Sequence, residues 1–289
     1  MSASVALVTG ATRGAGKGIA IGLASQGMTV YVTGRSSHEA TTTLKGEILH
    51  GTLVETVAAI DAAGGKGVGI TCDHGEDAET KAVVEQIEAE QGRLDILVNN
   101  AAAIHDNLID PGGFWEKPLA LVDILDVGLR SAYVTSYYAA PLMVRQGSGL
   151  ITFTSSFGSA CYMHGPAYGA QKVGYDKLAA DMGVDLENTG VAAVSLWLGP
   201  QLTERTEVVL RYRGEQYDDF MAVAETPQFN GRIIFALAND PTAMEKSGQT
   251  LVTAELADEY NITDEGGKHP PSYRDQLGEP RIPHPARVI

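Results

Sequence analysis

The sequence predicts an α/β protein: a single domain with one doubly wound, seven-stranded parallel sheet and helices on both faces. Three observations carry this expectation. Short β-branched runs alternate with helical patterns along the 289 residues, which is how the strands and crossover helices of a parallel sheet read. The first run ends in a glycine-rich turn that opens an apolar helix, the unit from which such sheets are wound. Hydrophobic residues make up 44% of the chain, yet no run approaches the roughly 18 apolar residues of a membrane span, so they are available for a core.

The seven strand-like runs are VALVTG (5–10), TVYVTG (29–34), GVGITC (67–72), LDILVNN (94–100), LITFTSS (150–156), VAAVSLW (191–197) and QTLVTA (249–254). Each except the last leads into a loop or helix pattern. Thr52 and Glu55 have capping-box spacing and open the helix LVETVAAIDAAGG, which its glycine pair closes. Before that helix, residues 36–51 form a polar loop longer than such a connection needs. Met143 and its apolar neighbours fit a buried helix stripe. Residues 200–225 follow the sixth strand, where lids over a substrate occur. The end of the chain, rich in proline and charge, reads as an extended arm over the surface. The expected organisation is a nucleotide-binding domain over 1–255 followed by a tail over 256–289.

Net charge is −15. So acidic a surface repels nucleic acid and anionic membranes, and neither is an expected partner. The start, MSASVALVTG, lacks the basic opening and long apolar region of a signal peptide. Cys72 and Cys161 have no metal-type spacing, no metal constellation is visible in the sequence, and neither cysteine needs a disulfide partner. A cytoplasmic setting is the simplest reading.

The first strand ends in VTGATRGAGKGIA. Glycines in a strand-to-helix turn let the backbone approach a pyrophosphate, and the helix N-terminus aims unpaired N–H groups at it. Gly10, Thr12, Arg13, Gly14, Ala15 and Gly16 are therefore candidate cofactor contacts. The second strand ends in TGRSS, which puts Arg35 where an acidic residue would grip the 2′-hydroxyl of NAD. An arginine there favours the additional phosphate of NADP. With Arg13 as a second cation on an acidic protein, NADP(H) is favoured over NAD(H).

In PAYGAQK (166–172), Tyr168 and Lys172 stand four positions apart, so on a helix they share a face. A phenol ionises near pH 10, and a neighbouring cation favours its charged form. A tyrosine tuned in this way can donate or accept a proton near neutrality.

TGATRGAG, CDHG after the third strand, NNAA after the fourth, TSS after the fifth and YGAQK occur in an order and at intervals that resemble the short-chain dehydrogenase/reductase family over residues 4–255. The likeness extends to one subgroup of that family through FWEKP, VGLRSAY, YDKLAAD and SLWLGPQLTE. The resemblance implies a Rossmann fold and hydride transfer between NADP(H) and a small carbonyl or alcohol substrate. Tyr168 would be the proton donor or acceptor. Lys172 would lower its pKa and hold the nicotinamide ribose, and a serine at the end of the fifth strand would hold the carbonyl oxygen. Counting back from Tyr168 gives Ser155. Alignment on the strand end gives Ser156, which the subgroup pattern favours. Asp73 would lie near the adenine, Asn99 and Ala101 along the cofactor cleft, and Thr203 at the nicotinamide end. Family habit implies a homodimer or homotetramer built through the helices after strands four and five.

Three positions depart from the family pattern. Ala102 replaces a glycine, Leu198-Gly199-Pro200 replaces a proline-glycine pair, and Gly128 stands where a catalytic asparagine anchors a water for proton relay. The last implies a different proton route, or a nucleotide-binding sensor or scaffold without turnover. Among lesser features, His164, His105 and Asp106 read as solvated loop residues with substrate contact as the alternative. Phe114 and Trp115 are expected to pack beneath their loop.

Overall fold

Valine, isoleucine and threonine pack well on a pleated surface, and all seven runs rich in them become strands. In the computed structural model, which describes residues 4–40, 42–213 and 221–288, they are β1 (Val5–Val8), β2 (Thr29–Gly34), β3 (Lys66–Thr71), β4 (Ile96–Asn99), β5 (Gly149–Ser155), β6 (Val191–Trp197) and β7 (Thr250–Val252). The order across the sheet is β3-β2-β1-β4-β5-β6-β7. Every pairing is parallel. The winding reverses between β1 and β4, whose register runs from Ala6 against Ile96 to Val8 against Val98. Ligands of open parallel sheets bind beyond the strand ends at such a switch point.

The longer helices among the described residues are α1 (Gly14–Ala24), α2 (Leu53–Ala62), α3 (Asp77–Gln91), α4 (Ser131–Gln146), α5 (Pro166–Asp185), α6 (Glu204–Arg213), α7 (Pro227–Ala238) and α8 (Thr253–Glu259). Strand side chains alternate between two cores. Ala6, Val8, Ile96 and Val98 face Ile19, Leu23, Phe229 and Ile233 of α1 and α7. Val5, Leu7 and Leu97 face Val83, Met143, Tyr175 and Ala179 of α3, α4 and α5. Each large apolar side chain so buried contributes about 1.5–3 kcal/mol. The helix-stripe reading of Met143 holds.

The Thr52–Glu55 capping box forms in full. Glu55 donates its backbone N–H to Thr52 Oγ1 (3.1 Å), and Thr52 donates its own to Glu55 Oε2 (2.9 Å). The polar loop 36–51 has structure of its own. Thr43–Leu44 and Glu47–Ile48 pair as a small antiparallel hairpin, a two-residue element too short to show a periodicity. At the other end, α8 runs through the expected domain boundary at 255. The tail beyond it packs inward as well as along the surface, with Tyr273 and Leu277 against Phe157 and Trp197. Phe114 and Trp115 do not pack beneath their loop: they are 66% and 75% exposed and meet each other edge to face.

Helices α1 and α7 touch through glycines. A Cβ on Gly231 would lie 2.3 Å from the Ile19 carbonyl oxygen and 2.8 Å from Gly22 Cα. Both neighbours are backbone and cannot yield. Gly231→Val is expected to destabilise the protein by about 1–3 kcal/mol or more through overpacking, measured as a lower urea midpoint, whereas the same change at Gly27, which meets nothing within 4 Å, costs backbone strain alone.

Candidate active site

The glycine turn is held open by hydrogen bonds to β4. Thr9 Oγ1 accepts the backbone N–H groups of Asn100 (2.9 Å) and Ala101 (3.0 Å). Asn100 Nδ2 in turn donates to the carbonyls of Thr9 (2.9 Å) and Gly10 (3.0 Å). Gly10 has φ +64°, and a Cβ there would meet Ala101 Cα at 2.6 Å; one on Gly16 would meet Asn100 Nδ2 at 2.4 Å. Glycine is thus required on both sides of the turn. The buried Thr12 rests its methyl 2.4 Å from where Gly34 would carry a Cβ, and Ala15 reaches the cavity described below.

The turn already holds an anion. Gly14 donates its N–H to Glu204 Oε2 (2.9 Å), a carboxylate at the N-terminus of α1, where negative charge is favoured. Thr203 Cγ2 is 3.9 Å from the Cβ direction of Gly14, so the start of α6 lies directly over the glycine turn. Thr203 and Thr206 cap it reciprocally at 2.7 and 3.2 Å. Arg13 donates to Ser36 Oγ (3.2 Å) and the Gly51 carbonyl (3.1 Å), while its Nε is buried without a partner. Burial, and the neighbouring Arg35, hold the Arg13 guanidinium below its ordinary value. Arg35 is 71% exposed and lies 3.6 Å from Asp73. These two cations and Asp73 share one rim.

At the other end of the switch crevice, Ser156 Oγ lies 3.0 Å from Tyr168 Oη and also accepts the Gly158 N–H (3.2 Å). Ser155 faces elsewhere, donating to the Lys172 carbonyl at 3.2 Å. Lys172 Nζ donates to the Thr154 carbonyl (2.8 Å) and sits 5.2 Å from the centre of the Tyr168 ring. Burial pushes the Lys172 ammonium down to about 8. Tyr168 does not follow the expected direction. Burial pushes its phenol above the ordinary value, and the Ser156 hydrogen bond works against that push.

These groups open onto a cavity of about 370 Å³, within the usual range for small-molecule sites. Residues 4–212 match the family model described as short chain dehydrogenase. The chain belongs to the short-chain dehydrogenase family. Human dehydrogenase/reductase SDR family member 1 is 39% identical over 279 residues, covering 93% of this chain and 85% of that protein. A 3-oxoacyl-acyl-carrier-protein reductase of Staphylococcus aureus is 32% identical over 205 residues, 71% of this chain and 77% of its own length. The crystal structure of a short chain dehydrogenase from Mycobacterium thermoresistibile superposes with a TM-score of 0.73 at 25% identity, covering 93% of this chain and 92% of that one. Members of the family are oxidoreductases that use nicotinamide cofactors.

In this short-chain dehydrogenase the glycine at the usual asparagine position is built into the backbone. Gly128 has φ +156° and ψ −88° in a widened helical turn over Leu125–Arg130, where a side chain would be strained. Its carbonyl accepts Tyr175 Oη (3.1 Å), and a Cβ there would meet Gln171 Cγ at 3.3 Å. The Leu198-Gly199 departure is also explained. Leu198 donates its N–H to the Ser155 carbonyl (3.3 Å), a bond proline cannot make. Gly199 donates to the buried carboxylate of Glu225 (3.0 Å), with 2.4 Å between its Cβ direction and Glu225 Oε1.

Other placements differ from the sequence reading. Asn99 turns its side chain to Ser136 of α4 (3.0 Å), and it is Asn100 and Ala102 that line the cavity. His164, His105 and Asp106, taken as solvated, line it too. His164 meets the Tyr168 ring edge-on at 4.9 Å, and burial, with Lys117 and Lys172, holds it below its ordinary value. Its closeness in sequence to Tyr168 was the only signal. Arg205, Leu44, Tyr273 and Leu277 also face the cavity. They come from the lid, the hairpin and the tail, and no local pattern marks them. Among the described residues no cluster of histidine, cysteine or acidic side chains is arranged for a metal, and no helix is long and apolar enough to cross a membrane.

The Glu204 carboxylate occupies an N–H in the glycine turn, so a pyrophosphate bound there would have to displace it. Glu204→Gln is expected to strengthen dinucleotide binding by roughly 2- to 10-fold through loss of like charge, measured by fluorescence titration.

Proposed function

We propose that this chain is an NADP(H)-dependent carbonyl reductase or alcohol dehydrogenase acting on a small carbonyl or alcohol substrate. The observation that carries the reading is the Ser156–Tyr168 contact at 3.0 Å, backed by Lys172 and opening on a cavity. The glycine turn fits a dinucleotide: two glycines leave no room for a Cβ, and a carboxylate already stands in for phosphate. Gly10, Thr12, Arg13, Gly14, Ala15, Gly16, Ala101 and Thr203 would hold it, while the Asn99 side chain is committed to α4. Arg13, with an unpartnered buried Nε, and Arg35 would take a 2′-phosphate, and Asp73 would border the adenine.

A bound nicotinamide supplies or takes the hydride. The chain's own residues handle the oxygen and its proton. Ser156 already accepts from Gly158, which leaves its hydroxyl hydrogen for Tyr168 or for a carbonyl oxygen. Such a donor, fixed before reaction, stabilises charge as it develops. Tyr168 gives its proton to that oxygen, and Lys172 offsets the phenolate left behind. The water-excluding walls strengthen both effects. Retention of all three groups in contact favours turnover over a sensor without activity. A homodimer or homotetramer is supported by α4, which exposes the stacked Tyr133 and Tyr137.

Titration of the purified protein with NADPH and NADH tests the cofactor. Binding of NADPH at least about tenfold tighter, roughly 1.4 kcal/mol, is expected. Equal affinities would remove the role given to Arg13 and Arg35, and binding of neither would remove the oxidoreductase reading. With NADPH and a panel of ketones and aldehydes, Tyr168→Phe is expected to lower kcat by about 100-fold or more while leaving NADPH affinity intact, and Ser156→Ala to cost far more than Ser155→Ala. The group at about 8 is cationic below that pH, so kcat should fall as pH rises through it.

A further inference from the structure

We propose that Asp176 is a positioning residue for this reaction: from farther along the same face of α5 it anchors the loop that carries Ser156 and sets a negative charge against the Lys172 ammonium. The inference rests on the reading of Ser156, Tyr168 and Lys172 given above. Asp176 lies one helical turn beyond Lys172 and two beyond Tyr168, so the three share one face. Its carboxylate gathers donors from three other segments, Ser155 at the end of β5 among them. Ser159 donates to Oδ2 at 2.6 Å. From β6, Ser195 donates to Oδ1 at 2.6 Å, and Trp197 Nε1 lies 3.2 and 3.1 Å from the two oxygens.

Ser159 ends the short 3₁₀ turn Phe157–Ser159 that Ser156 begins. The turn is therefore fixed at both ends, by Ser156 Oγ on the Gly158 N–H and by Ser159 on Asp176. Phe157 between them packs on Trp197 with ring centres 5.0 Å apart. Gly158 leaves the space taken by the Tyr168 ring, 2.6 Å from its Cβ direction. Ser156 meets Tyr168 only because this turn is held against α5, and Asp176 is the polar tie that holds it.

The charge acts on Lys172. The titratable groups facing that ammonium are Tyr168, Tyr175 and Asp176 on α5 and His164 on the loop before it. From β5 the Thr154 carbonyl faces it. Burial and the neighbouring lysines hold His164 below its ordinary value, which disfavours a second positive charge beside the ammonium. Burial favours neutral lysine, and Asp176 opposes it. Burial also pushes the Asp176 carboxyl up, and its hydroxyl and indole donors pull it back.

The test follows Lys172 directly, by ¹³Cε NMR of the lysines in the cofactor-free chain, with Lys172→Arg assigning the resonance. In Asp176→Asn the Lys172 titration is expected to move down by about half a pH unit or more. Asparagine can still accept from Trp197 and exchange hydrogen bonds with the serines, so the fold should persist. Ser159→Ala keeps the charge and removes the tie: Lys172 should titrate as in the wild type while kcat, on the carbonyl turned over fastest, falls by about tenfold. An unmoved Lys172 titration in Asp176→Asn, or an unaltered kcat in Ser159→Ala, would overturn the proposal. The NMR measurement needs no substrate, so its failure is distinguishable from a failure to find carbonyl turnover.

Discussion

A lysine ammonium buried beside a tyrosine is the constraint around which one end of the crevice is arranged. Burying a cation without partners is costly enough that the group gives up its proton instead, and Lys172 is already pushed down to about 8. Each of its surroundings reduces that cost. The Thr154 carbonyl takes one N–H bond, the faces of Tyr168 and Tyr175 lie at 5.2 and 5.3 Å, and Asp176 brings the opposing charge. The sheet supplies the carbonyl by ending β5 beside α5. The helix supplies the rest through its 3.6-residue period.

The same need to exclude water explains the additions to the basic fold. Helix α6 lies over the crevice and is latched from outside by the hairpin, where Leu44 and Leu49 bury against Val208 and Arg211 and Tyr212 both bond Glu47. Lys45 fastens the hairpin to Asp110 at 2.9 Å. From the opposite side the tail inserts Tyr273 and Leu277. It is held by Arg274, which pairs with both oxygens of Glu255 at 2.8 and 2.6 Å. Such walls lower the effective dielectric around Ser156 and Tyr168, where every dipole then counts for more. The contact between Glu204 and Gly14 gives α6 a second attachment.

Much of this was legible in the sequence because it is written in short-range periodicity. The β-branched runs marked all seven strands, the glycines marked the turn where backbone must approach backbone, and the four-residue interval placed Tyr168 and Lys172 on one face. The glycine at 128 was legible as a departure but not as a backbone device, since its φ of +156° depends on how α4 enters the site. That His164, His105 and Asp106 border a cavity was not legible, because only the closing of the hairpin and lid over them makes one there.

The choice between Ser155 and Ser156 shows where local reading ends. Alternation along β5 sends Ser155 the same way as Ile151 and Phe153, toward α5, where it meets the Lys172 carbonyl. Ser156, one residue past the strand, is free to turn toward Tyr168. A one-residue shift in the end of β5 would exchange their roles, and that end is set by pairing with β6, about forty residues away. By itself the sequence determined the strands, the glycine turn and the tyrosine–lysine face, because each depends on neighbours within a few positions. Tertiary structure alone decided which serine meets the tyrosine, what surrounds the lysine and which distant segments wall the cavity, because those contacts exist only after long-range packing brings separate segments together.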